Sequence, residues 1–147
     1  MREGKIVETF WPIILIVISN IFYNITTKST PADANPFLSL TVTYLVGAIL
    51  TFLMFWATAT EKGLSSNISR LNWTGYCLGI IIVGLETGYI YLYRAGWNIS
   101  LGSLVANILL AISLVIIGAL FYHEEISARQ LIGMLFCIIG LIFVNKK

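Results

Sequence analysis

Charged residues are scarce in this chain, which has 7 acidic and 9 basic residues among 147 and a formal net charge of +2. A nucleic-acid-binding surface needs a basic patch with interleaved aromatic side chains, and no such stripe is present. Apart from Glu86, the charges that do occur lie between long apolar runs or at their ends, and no stretch remains for a soluble domain. The scarcity of charge therefore excludes a nucleic-acid-binding protein and indicates a protein embedded in lipid.

Cysteine and histidine are also nearly absent. Cys77 and Cys137 lie inside apolar runs without a CxxC partner, so we interpret both as small buried hydrophobic residues rather than as a disulfide or metal site. His123 is the sole histidine and has no neighbouring ligands in the sequence. No Ser/His, paired Asp or zinc-binding constellation occurs at bilayer depth. We therefore expect no metal, no cofactor and no enzymatic activity.

Apolar side chains are abundant, at 58% of the residues, and they occur in repeated long runs. Only helices can satisfy their own backbone groups in lipid without forming a closed barrel. The runs therefore predict an all-α integral membrane protein, a bundle of five transmembrane helices in a single domain over residues 1–147. The predicted helices cover residues 10–28, 37–59, 73–95, 100–122 and 128–144.

The third of these helices carries a carboxylate, Glu86, well inside its apolar length. An acid in hydrocarbon costs about 2.5 to 3.5 kcal/mol on insertion scales, so Glu86 is expected to face protein or a wet cavity and is a functional candidate. Helical spacing places Tyr89 and Tyr93 on the same face, where phenols can hydrogen-bond a carboxylate. We expect this helix to pack on two sides through its small residues Gly75, Gly79, Gly84 and Gly88.

Polar stripes on the first and fourth helices also predict inward faces. Such side chains often only hold helices together, at about 0.6 kcal/mol for each interhelical hydrogen bond on average, so a purely structural role stays open. The residues expected to line one binding cavity are Glu86, Tyr89, Tyr93, Asn20, Tyr23, Asn24, Ser103 and Asn107.

A carboxyl group that is removed from water holds its proton more tightly, which favours proton exchange near neutral pH. Our hypothesis is that Glu86 alternates between a proton and a substrate that is either cationic or polar and hydrogen-bonding. The alternative is that Glu86 only fixes helix packing, held by Tyr and Asn side chains or paired with Lys28 or Arg94.

The distribution of lysine and arginine gives the chain almost no preferred orientation in the membrane. With five helices, one side of the membrane holds five of them and the other holds four, which together are the 9 in the sequence. Because the bias in these residues normally fixes orientation, such a chain can insert both ways. Lys146 and Lys147 are expected to extend to the headgroups beyond the short last helix. The five basic residues on one side are Arg2, Lys5, Lys62, Arg70 and Arg129, and the four on the other side are Lys28, Arg94, Lys146 and Lys147.

Several features of residues 81–144 are typical of one transporter family. They are a glycine-rich third span, small residues at the start of the fourth, an acid just beyond its end (Glu124 or Glu125), the run from Gln130 to Gly133, and Gly140. This block resembles the closing half of an EamA-type repeat of the drug/metabolite transporter superfamily. Trp11 and Lys28 fit the opening half, while Tyr44 stands where many members carry an arginine.

The resemblance implies the function. Most relatives carry two inverted five-span repeats with the transport pathway between them, so a single repeat implies an antiparallel homodimer of ten helices. It implies a multi-pass protein of the cell (plasma or inner) membrane that moves small metabolites or cationic and amphipathic compounds, and the intramembrane Glu86 adds protons as the expected coupling partner. The small multidrug-resistance branch keeps its acid in the first span, where this chain has Asn20 and Asn24, so no site is transferred from that branch.

Two other functions stay open at this point. The chain can be a subunit that flips a lipid-linked sugar or another lipid, which would require lipid in the helix crevice. It can also be a non-transporting partner of another membrane protein, which would be found in a fixed hetero-complex.

Overall fold

The computed structural model describes residues 2–60 and 63–145, apart from the side chains of residues 2–9, 141, 144 and 145. Every regular element in these ranges is an α-helix. The helices are α1 (Arg2–Lys28), α2 (Pro36–Thr58), α3 (Leu64–Ile68), α4 (Trp73–Arg94), α5 (Ile99–Phe121) and α6 (Ala128–Asn145).

Four of the described helices contain segments long and apolar enough to cross a membrane: Phe10–Lys28 within α1, and the whole of α2, α4 and α5. These segments have 19 to 23 residues, which at about 1.5 Å per residue matches a hydrocarbon core about 30 Å thick. The apolar part of α6, Ala128–Gly140, is shorter. The prediction of an all-α membrane protein is confirmed, while the count of five spans stays a prediction.

Two segments hold more helix than the sequence indicates. α1 begins at Arg2 rather than near residue 10, and it continues through Pro12, which removes one backbone hydrogen bond from the helix. The expected polar loop over residues 61–72 contains the five-residue helix α3. There the Gly63 carbonyl accepts hydrogen bonds from both the backbone N–H of Asn67 at 3.2 Å and its Nδ2 at 2.9 Å.

Asparagine side chains cap two of the long helices. Asn35 Oδ1 accepts hydrogen bonds from the backbone N–H groups of Phe37 at 2.9 Å and Leu38 at 3.2 Å. Asn72 Oδ1 accepts from the backbone N–H of Thr74 at 3.0 Å. The first N–H groups of a helix have no partner within it, so these amides fix where α2 and α4 begin.

The start of α6 is a capping box. The backbone N–H of Ser127 donates to Gln130 Oε1 at 2.8 Å, and the backbone N–H of Gln130 donates to Ser127 Oγ at 3.3 Å. Ser127 therefore caps the last helix, as its sequence position predicts. Asn98 stands at the start of α5, but its side chain makes no capping hydrogen bond.

The serine and threonine hydroxyl groups of α2 are satisfied by the helix itself. Each one donates to the backbone carbonyl four residues earlier, at distances from 2.7 to 3.2 Å. Such bonds keep hydroxyl groups out of the lipid without help from another helix. The residues concerned are Ser39, Thr41, Thr43, Thr51 and Thr58.

The chain divides into two compact units, which are described separately. The described part of the first unit is residues 2–25 and 96–145, and within it α5 packs against α6. The second unit covers 26–60 and 63–95, and within it α2 packs against α4. Leu40, Ile90 and Tyr93 are the buried side chains of this second packing.

At the end of α5, the side chain of Glu124 packs against Gly118. The Gly118 carbonyl accepts the backbone N–H groups of Tyr122 and Glu124, each at 3.1 Å. His123 between them has a φ of 52°, so the chain reverses there in the left-handed region. A Cβ on Gly118 would lie 2.6 Å from Glu124 Oε2, so the bare backbone makes room for the carboxylate.

The two cysteines are free, and they are not buried within the described chain. Cys77 is half-buried and Cys137 is exposed. The interpretation of both as buried residues is therefore wrong for a single copy, because an apolar run in a membrane helix turns part of its residues toward lipid rather than toward protein.

The caps give a matched stability test. We expect Asn35→Ala to lower the free energy of unfolding by about 1 kcal/mol, because two N–H groups of α2 lose their acceptor. Asn98→Ala serves as the control and should cost clearly less, since its side chain makes no such bond. Denaturant unfolding in detergent micelles measures both, and equal losses would contradict the assignment of Asn35 as the cap.

Candidate substrate and proton site

A groove of about 540 Å³ lies in the first unit, between the part of α1 that ends at Ile25 and the first half of α5. Its walls are mostly aliphatic, and none of the described residues that line it is charged. The groove lies within two membrane-length segments, so its polar groups have few alternatives to protein or ligand partners. The polar residues in its lining are Asn20, Asn24, Ser100, Ser103 and Asn107.

The asparagines of the groove bond to their own helices. Asn24 Nδ2 donates to the backbone carbonyl of Asn20 at 2.7 Å and to Asn20 Oδ1 at 2.6 Å. Asn107 Nδ2 donates to the backbone carbonyl of Ser103 at 2.8 Å and to its Oγ at 3.1 Å. Both pairs are four residues apart, which is the spacing that stacks side chains on one helix face.

These bonds leave two polar groups available in the groove. Asn20 Nδ2 and Asn107 Oδ1 make no hydrogen bond to the described residues, and neither atom is among the fully buried ones. The first is a donor and the second an acceptor. Together with the Ser100 and Ser103 hydroxyls, these two atoms give the groove several donors and acceptors between aliphatic walls, which suits a neutral amphipathic molecule.

The structure brings together half of the residues expected to form the cavity. Asn20, Asn24, Ser103 and Asn107 all line the groove. Tyr23 belongs to the same unit and is half-buried, but it is not part of the lining. The remaining residues, Glu86, Tyr89 and Tyr93, belong to the second unit.

Glu86 is half-buried on α4, eight residues before the helix ends at Arg94. That spacing places it about 12 Å along the helix axis from the last residue. The rings of Tyr89 and Tyr93 have centroids 6.2 Å apart and planes inclined by 39°. The two phenols therefore share one face of α4, as the helical spacing predicts.

Tyr44 of α2 is a residue of this region that the sequence analysis did not select. It lies close enough to Glu86 for the charge of the carboxylate to act on the phenol. Its hydroxyl is buried without a hydrogen-bond partner among the described residues. One feature of the sequence points to Tyr44: it is the sole tyrosine of an uncharged helix. In the structure it lies one turn after Leu40, which is buried.

Arg94 binds the loop that follows α1. Its Nη2 donates to the backbone carbonyls of Pro31 at 3.0 Å and Ala34 at 2.6 Å. The alternative in which Arg94 pairs with Glu86 is therefore not observed. A guanidinium group with several donors suits this role, because carbonyl groups in a turn have no strand or helix partner.

Lys28 lies beside Tyr93 at the end of α1. Its Nζ is 3.3 Å from the Tyr93 carbonyl oxygen and 5.7 Å from the centroid of the ring, which is within cation–π range. Lys28 and Arg94 are the last residues of their helices. Cations at helix C-termini are favourable because the unpaired carbonyls there carry partial negative charge.

The glycines of α4 face open space. A Cβ added to any of Gly75, Gly79, Gly84 or Gly88 would meet nothing within 4 Å among the described residues. The expected packing of α4 on two sides is therefore not seen within the described part of one copy.

No group of three or more His, Cys, Asp or Glu side chains lies close enough to hold a metal ion within the described ranges. The site is built from amides, hydroxyls, phenols and one carboxylate. These groups bind and release protons or hydrogen-bonded molecules, which is the chemistry of recognition and exchange.

Comparison with known proteins agrees with this chemistry. The sequence model of the EamA-like transporter family matches residues 8–146, which include the four membrane-length segments and the whole of α6. The search of curated proteins and the search of solved structures each returned no significant match. Members of the matched family are membrane transporters rather than enzymes. The resemblance drawn from residues 81–144 is confirmed, and this chain belongs to the EamA-like transporter family.

Proposed function

We propose that this protein is a proton-coupled transporter of small amphipathic compounds and that the groove of the first unit holds the substrate. The observation that carries the proposal is the groove itself, with polar side chains between aliphatic walls inside membrane-length helices. Its volume of about 540 Å³ lies in the range typical of small-molecule sites. A substrate that crosses the membrane needs such a surface. Its polar groups leave water, so they must form hydrogen bonds with the protein instead.

The lining favours a hydrogen-bonding substrate over a strongly charged one. A full charge in a groove without a counter-charge would have a high desolvation cost. Asn20 Nδ2 and Asn107 Oδ1 offer instead one donor and one acceptor at the surface of the groove. An uncharged amide, alcohol or carbonyl group on a largely apolar body would satisfy both atoms.

Glu86 is proposed as the proton-binding group. An acid about 12 Å inside a membrane helix is costly to ionise, so it takes up a proton unless neighbouring groups stabilise the charge. Tyr44 lies within electrostatic reach, and its buried hydroxyl is suited to donate a hydrogen bond to the ionised form. We propose that Glu86 changes protonation during the transport cycle, with the Tyr44 phenol within range of its charge.

Two copies are proposed to form the complete transporter, in antiparallel orientation in the cell membrane. The open space outside the four glycines of α4 supports this, since small residues permit close approach of another helix. The nearly equal division of lysine and arginine between the two sides permits both orientations.

Removing the carboxylate tests the coupling. Proteoliposomes with internal pyranine are challenged with a panel of neutral amides and with ethidium as an amphipathic cation. We expect Glu86→Gln to reduce compound-dependent proton flux at least about tenfold, which corresponds to about 1.4 kcal/mol of lost coupling. Glu125→Gln, an exposed acid beyond α5, is the control and should transport like the wild type.

The coupling role would be abandoned if Glu86→Gln kept the flux and pH dependence of the wild type. Loss of flux in both variants would instead indicate a general effect of removing acidic charge.

A substitution in the groove tests the substrate site. Asn107→Leu removes the available acceptor while keeping a similar volume, so we expect the KM of a transported compound to rise about three- to tenfold. The control is Ser113→Ala on the same helix, because that hydroxyl bonds to the Leu109 carbonyl at 2.8 Å and lies outside the groove lining. An unchanged KM in Asn107→Leu would place the substrate elsewhere.

Labelling from each side of the membrane tests the antiparallel pair. Single cysteines are placed at Asp33, in the loop before α2, and at Ser66, in the short helix α3 after it, in a chain with Cys77 and Cys137 replaced by alanine. Dual orientation predicts that about half of each cysteine reacts with an impermeant maleimide in intact cells. Complete reaction at one position and none at the other would exclude the antiparallel homodimer.

A further inference from the structure

A small basic pocket lies in the second unit, where α1 and α4 end. Its volume is about 160 Å³. Lys28 and Arg94 contribute two cationic groups to the lining, and Thr27 and Thr30 contribute two hydroxyls. Tyr93 forms part of the wall, with its ring beside the Lys28 ammonium group.

The charge of this pocket is positive. None of its described lining residues is acidic, and Asp33 in the adjoining loop is exposed and outside the lining. Two cations in one small pocket repel each other, which makes an anion between them favourable. The electrostatics therefore select an anionic ligand.

The arginine of the pocket is held in place by the protein. Its Nη2 atom donates to the Pro31 and Ala34 carbonyls, so the guanidinium group is fixed before any ligand arrives. Its Nε is buried without a hydrogen-bond partner among the described residues, which leaves one guanidinium donor unsatisfied. Fixed, charged donors of this kind give the strongest hydrogen bonds to phosphate oxygens.

The pocket lies at the level of the lipid headgroups. Lys28 and Arg94 are the last residues of two membrane-length segments, so both are placed where the hydrocarbon core ends. The phosphates of the bilayer lie at this depth, and basic pockets between membrane helices are known to bind anionic headgroups.

We propose that this pocket binds a phosphate group at the membrane surface, with the phosphodiester of an anionic lipid headgroup as its source. The Lys28 ammonium and the Arg94 guanidinium neutralise the phosphate charge, and the Thr27 hydroxyl donates to one of its oxygens, since the Thr30 hydroxyl already donates to the Thr26 carbonyl. Inorganic phosphate carries the same chemistry and is the competing source. The site has no role in the proposed transport mechanism, so each can fail independently of the other.

The test measures the melting temperature of the full chain in a neutral detergent. Short-chain phosphatidylglycerol, diacylglycerol with the same tails, and inorganic phosphate are titrated separately, because a ligand of the folded state raises the melting temperature. We expect phosphatidylglycerol to stabilise the wild type and diacylglycerol to have no effect. If inorganic phosphate stabilises the protein and phosphatidylglycerol does not, the phosphate site is retained and its ligand is the free anion rather than a lipid headgroup.

Variants test whether the lipid binds in this pocket. We expect Lys28→Gln to weaken the apparent affinity for phosphatidylglycerol at least about tenfold, while Lys28→Arg stays within about twofold of the wild type. Arg129→Gln, an exposed cation in the first turn of α6, is the charge-matched control and should also stay within that range. If Lys28→Gln does not fold, Thr27→Val removes a hydroxyl of the lining without changing charge and should weaken binding about threefold.

Three results would overturn the proposal. The first is that neither phosphatidylglycerol nor inorganic phosphate stabilises the wild type. The second is that diacylglycerol stabilises it as much as phosphatidylglycerol. The third is that Arg129→Gln weakens binding as strongly as Lys28→Gln.

Discussion

Within the hydrocarbon of a membrane, water does not reach polar groups, so every donor and acceptor must find a partner in the protein or in a ligand. This constraint accounts for most of the polar contacts described above. The serine and threonine hydroxyls of α2 bond to their own backbone, and the asparagines of the groove bond to their own helices. Among the polar atoms that this rule leaves without a partner in the described chain, those of Asn20, Asn107 and Tyr44 are the ones that we assign to substrate and proton.

The same rule explains why charge is confined to particular positions. Lys28 and Arg94 stand at the ends of membrane-length helices, where headgroups, loop carbonyls and helix termini stabilise a cation. Glu86 is the exception among the described side chains of these segments, because it lies two turns inside α4. A charge at such depth is costly, which is why we propose a function for Glu86.

Helical periodicity alone predicted much of what is observed. The 3.6-residue repeat placed Asn20 with Asn24 and Ser103 with Asn107, and local capping rules placed Ser127 at the start of α6. Tyr44, and the bonds of Arg94 to the loop, could not be predicted in this way. They depend on which helix packs against which and on how the chain turns between them, and neither is encoded in the period of a single helix.

The internal hydroxyl bonds of α2 have a mechanical consequence. Because each of these hydroxyls is satisfied within the helix, none of them resists rotation of α2 about its long axis. The rotational position of α2 about its own axis is then set mainly by buried Leu40 and by the Tyr44 phenol. A small swivel of α2 would move that phenol relative to the Glu86 carboxylate without breaking any of the hydroxyl bonds along the helix.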